Sequence, residues 1–245
     1  MMPVLRVLDL FSGIGGFSLG LERAGMRTAA FCEIDPKARL VLRKHWPDVP
    51  IFEDVAALTA ADMPEKIDVI CGGFPCQDIS LAGKGAGLAG ERSGLWFQFR
   101  RLIDEIRPAW VIVENVSALR SRGLDVVLGG LAALGYDAEW HCIPASAVGA
   151  PHQRDRVWIV AYPVRARGAA GISEAGHRKE GDTEIADHIG DRLLGGAGQS
   201  LWPTEPAVGR VVDGLPRRLD RIRQLGNAVV PQIPEMIGRA IMSWN

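Results

Sequence analysis

Five short apolar runs, Val4 to Phe11, Thr28 to Cys32, Ile67 to Cys71, Ala109 to Val113 and Val157 to Ala161, are separated for most of the chain by stretches with helical character. That alternation constrains the fold more than anything else in the sequence. Runs rich in β-branched residues and apolar on both faces read as buried strands. Asp35-Pro36 reads as an N-cap with proline at the first helical position, opening a helix to about Trp46. Ser93 is placed to cap a helix from Gly94 to Arg107, and Leu124 to Leu134 forms another that Gly135 ends. Strand and helix in turn imply an α/β domain, a mostly parallel sheet with helices on both faces. Ligands of such sheets sit at the carboxyl ends of the strands, so the loops that follow the strands are where function is sought.

The rhythm breaks at about Pro163, where glycine, charge and scattered histidines replace it as far as Trp202, and order returns at Gly226 with the helix-like tail PQIPEMIGRAIMSW. Residues 1–162 are therefore expected to form the main domain, 163–225 a small lobe, and 226–245 a segment that returns to the main domain. The formal net charge of -1 excludes a protein that holds nucleic acid by being basic all over, and leaves local clusters to do it. The four cysteines have neither zinc-site spacing nor the density of a secreted disulfide scaffold, so no metal is expected and a reducing, cytoplasmic setting is. The start runs directly into a strand pattern without a charged leader, and no apolar run nears the roughly 18 residues of a membrane span.

The first strand leads into Asp9-Leu10-Phe11-Ser12-Gly13-Ile14-Gly15-Gly16-Phe17-Ser18, a glycine-rich turn that opens a helix and lets backbone pass close to a ligand. Glu33 follows Gly13 by twenty positions, at the end of the second strand, where a carboxylate can accept from ribose hydroxyls. A nucleoside-containing cofactor is implied. A pyrophosphate dinucleotide wants glycine or alanine where Ser18 stands, and S-adenosylmethionine, which has ribose and adenine but no phosphate, fits better.

Strand Ile67 to Cys71 ends in Gly72-Gly73-Phe74-Pro75-Cys76-Gln77, a sharp loop that exposes a thiol. This hexapeptide resembles the nucleophile motif of the cytosine-5 DNA methyltransferases. Four companions stand in that family's order: the glycine turn, Glu114-Asn115-Val116, Gln153-Arg154-Asp155-Arg156, and Gly226-Asn227-Ala228-Val229-Val230-Pro231. The resemblance implies the Rossmann-like fold of methyltransferases that use S-adenosylmethionine, with methyl transfer to carbon 5 of cytosine. The chemistry accounts for the residue types. Cytosine C5 is too poor a nucleophile to attack a sulfonium methyl until a soft thiolate has added at C6. Cys76 is the implied nucleophile. Glu114 resembles the glutamate that hydrogen-bonds cytosine N3 and the amino group, a role that needs a carboxyl protonated by burial. Arg154 and Arg156 resemble the pair that grips the cytosine carbonyl and a nearby phosphate. Phe11, Gly13, Ile14, Gly15 and Pro75 are implied around the methionine part, Glu33 at the ribose, Asp54 and Val55 at the adenine edge, and Asn227 and Val229 closing the pocket.

The partner implied is double-stranded DNA, with the target base flipped out because a cysteine at the bottom of a pocket cannot reach into a duplex. Gln77, Lys84 and Arg92, in and after the nucleophile loop, and Arg217 and Arg221, in a cluster with Arg210, Arg218 and Arg223, are the candidate DNA contacts. Sequence reading is assigned to residues 163–225, a stretch short for the family. A monomer and a companion restriction endonuclease are the remaining expectations. Cys32, Cys71 and Cys142 read as buried core thiols, the tryptophans at 46, 96, 110, 140 and 158 as packing, and His152 as a local structural hydrogen bond. An RNA cytosine methyltransferase shares these motifs, a catalytically dead DNA-binding relative would lack a catalytic residue that this chain has, and a nicotinamide dehydrogenase conflicts with Ser18 and the Pro75-Cys76-Gln77 loop.

Overall fold

The computed structural model describes residues 4–75, 94–164 and 228–244. Among these residues seven strands form one sheet in the order β3-β2-β1-β4-β5-β7-β6. They are β1 (Arg6–Leu10), β2 (Arg27–Cys32), β3 (Ile51–Phe52), β4 (Val69–Gly72), β5 (Trp110–Val116), β6 (Tyr136–Ile143) and β7 (Arg156–Pro163). From β3 to β5 all neighbours are parallel, whereas β7 runs antiparallel to both β5 and β6. The chain leaves β1 in one direction to lay down β2 and β3, then returns to its other side for β4 and β5. A crevice therefore opens outside the carboxyl ends of β1 and β4, where an α/β sheet takes its ligands.

Helix α1 (Gly16–Arg23) follows β1, α2 (Pro36–His45) follows β2 and α3 (Leu95–Ile106) precedes β5; α4 (Leu119–Arg122) and α5 (Leu124–Ala133) lead to β6, and α6 (Gln232–Trp244) comes last. The apolar residues divide the helices between the two faces. Trp96, Phe99, Leu102 and Ile103 of α3 pack with Leu119, Leu124, Val127 and Leu131 against one face, while Phe17 and Leu21 of α1 with Ile233, Ile237 and Ile241 of α6 cover the other. The expected strands and helices are all present. Asp35 caps α2 by accepting from the Lys37 amide at 2.8 Å, with Pro36 at the first turn as its fixed φ favours.

Three details differ from expectation. Helix α3 is capped at its amino end by Gly94, with no side-chain cap, and Ser93 lies outside the described residues. Strand β6 has no counterpart among the expected strands, because its sequence YDAEWHCI alternates polar and apolar residues instead of running continuously apolar. It is the outermost strand, and its apolar alternation is covered only where it begins: Tyr136 is buried, whereas Trp140 and Cys142 are exposed. Cys142 is thus no core thiol and Trp140 no full packing residue, while Cys32 and Cys71 are buried as expected.

Helices α1 and α6 lie close enough that only glycine fits between them. A Cβ on Gly20 would run into the Pro231 carbonyl and stand 2.7 Å from the Pro234 ring, and one on Gly238 would stand 2.7 Å from Ala24 Cβ. Backbone oxygen cannot swing aside, so Gly20→Ala is expected to destabilise the fold by about 1–3 kcal/mol, the usual cost of overpacking. A Cβ on Gly129, in α5, would meet nothing within 4 Å. Gly129→Ala is expected to stabilise by about 0.5–1 kcal/mol through the helix-interior preference alone. Urea denaturation of the two variants checks both signs; equal effects would mean that α1 and α6 do not meet so closely.

Candidate active site

The turn after β1 is built from left-handed backbone. Phe11 has φ +53°, Gly13 +54° and Gly15 +87°, so the glycines stand where a side chain would be strained, and Phe11 carries that strain itself. The Ser12 hydroxyl lies 2.6 Å from the Asp9 carbonyl, and the Glu33 carboxylate accepts from the Gly13 amide at 2.6 Å and from the Asp35 amide at 2.7 Å. Glu33 therefore ties the turn after β1 to the loop after β2. Gly15 is backed by Trp46, whose ring would stand 2.6 Å from a Cβ there. Trp46 is fixed in turn by its indole N–H, which donates to the Glu22 carboxylate at 2.9 Å, and by edge contact with Phe31.

Toward the crevice the turn stays open, since a Cβ on Gly13 would meet nothing within 4 Å. Beside it stands the Glu33 carboxylate, and the next residue, Ile34, is a large apolar side chain that is 76% exposed. An acceptor for hydroxyls next to an uncovered apolar surface is a donor set that fits a nucleoside. Val55 is buried, and Asp54 turns its carboxylate to the Ala56 amide at 2.8 Å. From the carboxyl-terminal segment Val229 comes in close, its carbonyl 2.6 Å from where a Cβ on Gly16 would be.

At the ends of β4 and β5 glycines again admit close neighbours. A Cβ on Gly72 would collide with the Leu10 carbonyl, and one on Gly73 would stand 2.5 Å from Glu114 Oε2. The buried Asn115 amide donates to the Phe74 carbonyl at 2.9 Å and holds the start of the loop after β4. A row of rings, Phe74, Trp96, Phe99 and Phe11, joins that loop to the glycine turn at centroid spacings of 5.6, 5.8 and 6.3 Å. Pro75 is exposed at the rim. Cys76, Gln77, Lys84, Arg92, Arg217, Arg221 and Asn227 lie outside the described residues.

Glu114, near the end of β5, pairs with Arg156 at the start of β7, Nε to Oε1 at 2.9 Å. Burial pushes the Glu114 carboxyl upward from its ordinary range, opposed by Arg156 and Arg154. Arg154 has φ +41° and donates from Nη2 to the Ala228 carbonyl at 2.9 Å, which fastens the carboxyl-terminal segment to this corner. The structure thus brings Glu114, Arg154 and Arg156 together in one group, and Phe11, Gly13, Gly15, Glu33 and Val229 in another. Asn115 and Trp46 do not stand out as site residues in the sequence, although Asn115 lies inside the Glu114-Asn115-Val116 motif.

A family profile described as C-5 cytosine-specific DNA methylase matches residues 5–193. The chain belongs to the C-5 cytosine-specific DNA methylases. It is 38% identical over 165 residues to the type II methyltransferase M2.BsuMI of Bacillus subtilis, a match covering 64% of this chain and 42% of that one. It is 40% identical over 158 residues to the type II methyltransferase M.CviJI of Paramecium bursaria Chlorella virus IL3A, again 64% of this chain and 42% of the relative. The chain spans less than half the length of these relatives. The S. pombe Dnmt2 methyltransferase shares the fold, with a TM-score of 0.56 at 19% identity over 80% of this chain and 56% of that one. In this C-5 methylase chain the mixed sheet is the Rossmann-like methyltransferase fold expected from the motifs.

One buried carboxyl of the methylase fold lies directly beneath the turn. Asp9 is fully enclosed, accepts from the Ser18 hydroxyl at 2.8 Å through Oδ2, and leaves Oδ1 without a partner among the described residues. Burial pushes it up to about 8, against the pull of the Ser18 hydrogen bonds and with help from Glu33. Unfolded, an aspartate ionises near pH ~3.9, so the folded state holds the proton longer, and stability falls as pH rises from ~4 toward ~8. Asp9→Asn removes this titration. Its stability relative to the parent chain is expected to rise by more than about 1 kcal/mol between pH 5 and pH 8. Thermal or urea unfolding at the two pH values checks this, and a constant difference would show that Asp9 is already ionised.

Proposed function

We propose that this chain transfers a methyl group from S-adenosylmethionine to carbon 5 of a cytosine flipped out of double-stranded DNA, with Cys76 as covalent nucleophile. The observation that carries the proposal is the half-buried Glu114–Arg156 pair set against Gly73, three residues before Cys76, with the Glu33-tied glycine turn on the neighbouring strand. Phe11, Gly13, Ile14, Gly15, Glu33, Asp54, Val55, Pro75, Asn227 and Val229 would hold the cofactor. When bound, it supplies a sulfonium methyl group, an electrophile that an activated ring carbon can take up.

The chain's own residues do the activation. Cys76, as thiolate, forms a carbon–sulfur bond at C6, and the C5–C6 π electrons move into the ring toward N3. Glu114 in its protonated form donates to N3, where that charge collects, and the upward push of burial favours this form. Arg156 orients the Glu114 carboxyl and presents its remaining donors to the cytosine carbonyl. Gly73 leaves the room that the carboxyl occupies. Arg154 keeps the carboxyl-terminal segment against the pocket and offers its cation to a phosphate. Once C5 carries the methyl group, loss of the C5 proton and departure of the Cys76 sulfur restore the aromatic ring. Residues 163–225 read the sequence around the target, and Gln77, Lys84, Arg92, Arg217 and Arg221 contact the DNA. The type II designation of the relatives extends the proposal to a modification enzyme that works beside an endonuclease of the same specificity.

Cys76→Ser is expected to abolish methyl incorporation into duplex DNA from labelled cofactor while cofactor affinity stays unchanged. Glu114→Gln, which cannot give a proton to N3, is expected to lower kcat by about 100-fold or more, the scale on which one preorganised donor acts. DNA containing 5-fluorocytosine should trap a stable adduct at Cys76, because the ring then has no C5 proton to lose. Full turnover by Cys76→Ser, or no adduct at that thiol, would falsify the nucleophile assignment; incorporation into transfer RNA alone would move the substrate from DNA to RNA.

A further inference from the structure

We infer that Arg39 is the positioning residue that gives the cofactor pocket its preference for adenine, by holding the loop after β2 and the turn after β3 in one register; the inference rests on the cofactor reading above. Arg39 lies near the amino end of α2 and is only 9% exposed. Its Nη1 donates to the carbonyls of Glu33, at 3.1 Å, and Ile34, at 2.7 Å, and its Nη2 reaches Glu53 Oε1 at 3.1 Å. Its Nε is buried without a partner among the described residues.

Such a placement is unfavourable in itself. A cation near the amino end of a helix opposes the helix dipole, and a buried guanidinium with an idle N–H loses hydration that nothing restores. A site where lysine or leucine would be cheaper keeps arginine for what its fork can do, and here the fork bridges two loops. On one side are the carbonyls of Glu33 and Ile34, which flank the exposed Ile34 side chain. On the other is Glu53, the residue before Asp54 and Val55.

Otherwise, among the described residues, the two loops are joined at their bases. Glu33 donates its amide to the Phe52 carbonyl at 2.9 Å, and β3 is just two residues long. The Glu33 carboxylate fixes the loop after β2 from its amide side, through Gly13 and Asp35, while Arg39 fixes the same loop from its carbonyl side. The turn after β3 is also held from α3 by Arg101, whose Nη2 donates to the Val55 carbonyl at 3.0 Å, but among the described residues Arg39 is the side chain whose polar contacts reach both loops and set the spacing between Ile34 and Asp54. A lysine has one nitrogen and cannot serve both carbonyls and Glu53 in this geometry.

The test is equilibrium binding by calorimetry, with no turnover, of S-adenosylhomocysteine and of its deaminated counterpart, in which hypoxanthine replaces adenine. The parent chain is expected to prefer the adenine ligand by about 10-fold or more, the worth of one specific polar contact in a pocket. Arg39→Met and Arg39→Lys are expected to shrink that ratio to about 3-fold or less, chiefly by weakening the adenine ligand. The lysine variant keeps charge and length, so it carries the test if the methionine variant does not fold. A folded variant that weakens both ligands equally, or that keeps the parent ratio, overturns the inference, because a merely structural arginine would behave so. A parent chain that binds both ligands alike overturns it as well by removing the adenine preference, and one that binds neither sinks the cofactor reading beneath it.

Discussion

The site depends on close approach to glycine backbone at the ends of β1, β4 and β5. Gly72 lies on the Leu10 carbonyl, Gly73 on the Glu114 carboxylate, Gly16 on the Val229 carbonyl and Gly20 on the Pro231 carbonyl. Each contact joins segments far apart in the chain at a distance no side chain allows. Together they bring the first turn, the loop before Cys76, the end of β5 and the carboxyl-terminal segment to one crevice. The glycines thus act less through flexibility than through the absence of a Cβ, except at Gly13, where positive φ alone is the requirement, and at Gly15, where both apply.

Close packing of this kind leaves little water, and the polar groups within it behave accordingly. Asp9 and Glu114 are both pushed toward their protonated forms by burial, yet their partners differ. Asp9 takes hydrogen bonds from Ser18 and meets the Cys71 thiol with no cation beside it among the described residues, whereas Glu114 faces two arginines that pull the other way. A carboxyl balanced between burial and a guanidinium can change its proton as a ligand arrives, while one without a counter-charge stays as it is. The difference separates a group suited to chemistry from a group suited to holding a turn.

Much of the fold was legible because the inner strands are buried on both faces and so run continuously apolar. Strand β6 escaped for the opposite reason: it is an edge, its sequence alternates, and the face carrying Trp140 and Cys142 is uncovered at one end. The exposure of Cys142 could not be read from its neighbours along the chain, because it depends on what covers the edge strand. In the site, motif residues such as Glu33, Glu114 and Arg156 stood out, but what supports them did not. Trp46 read as packing, and its role behind Gly15 follows from a contact across thirty-one residues. Arg39 gave no signal, since a lone arginine in a helical pattern reads as a solvated charge until its fork is seen to be buried.

The reversed direction of β7 has a chemical consequence. In a wholly parallel sheet each strand delivers only its last residues to the ligand crevice, and the first residue of an eight-residue strand would lie more than about 20 Å away. Because β7 is antiparallel to β5, its first residues arrive where β5 ends: Arg156 is opposite Val116, and Trp158 opposite Glu114. The guanidinium therefore reaches Glu114 from the beginning of its strand, with Arg154 just before it at the rim and bonded to Ala228. The same reversal sends the far end of β7 away from the crevice. A single antiparallel strand thus adds two cations to a corner that the parallel strands had furnished with a carboxyl.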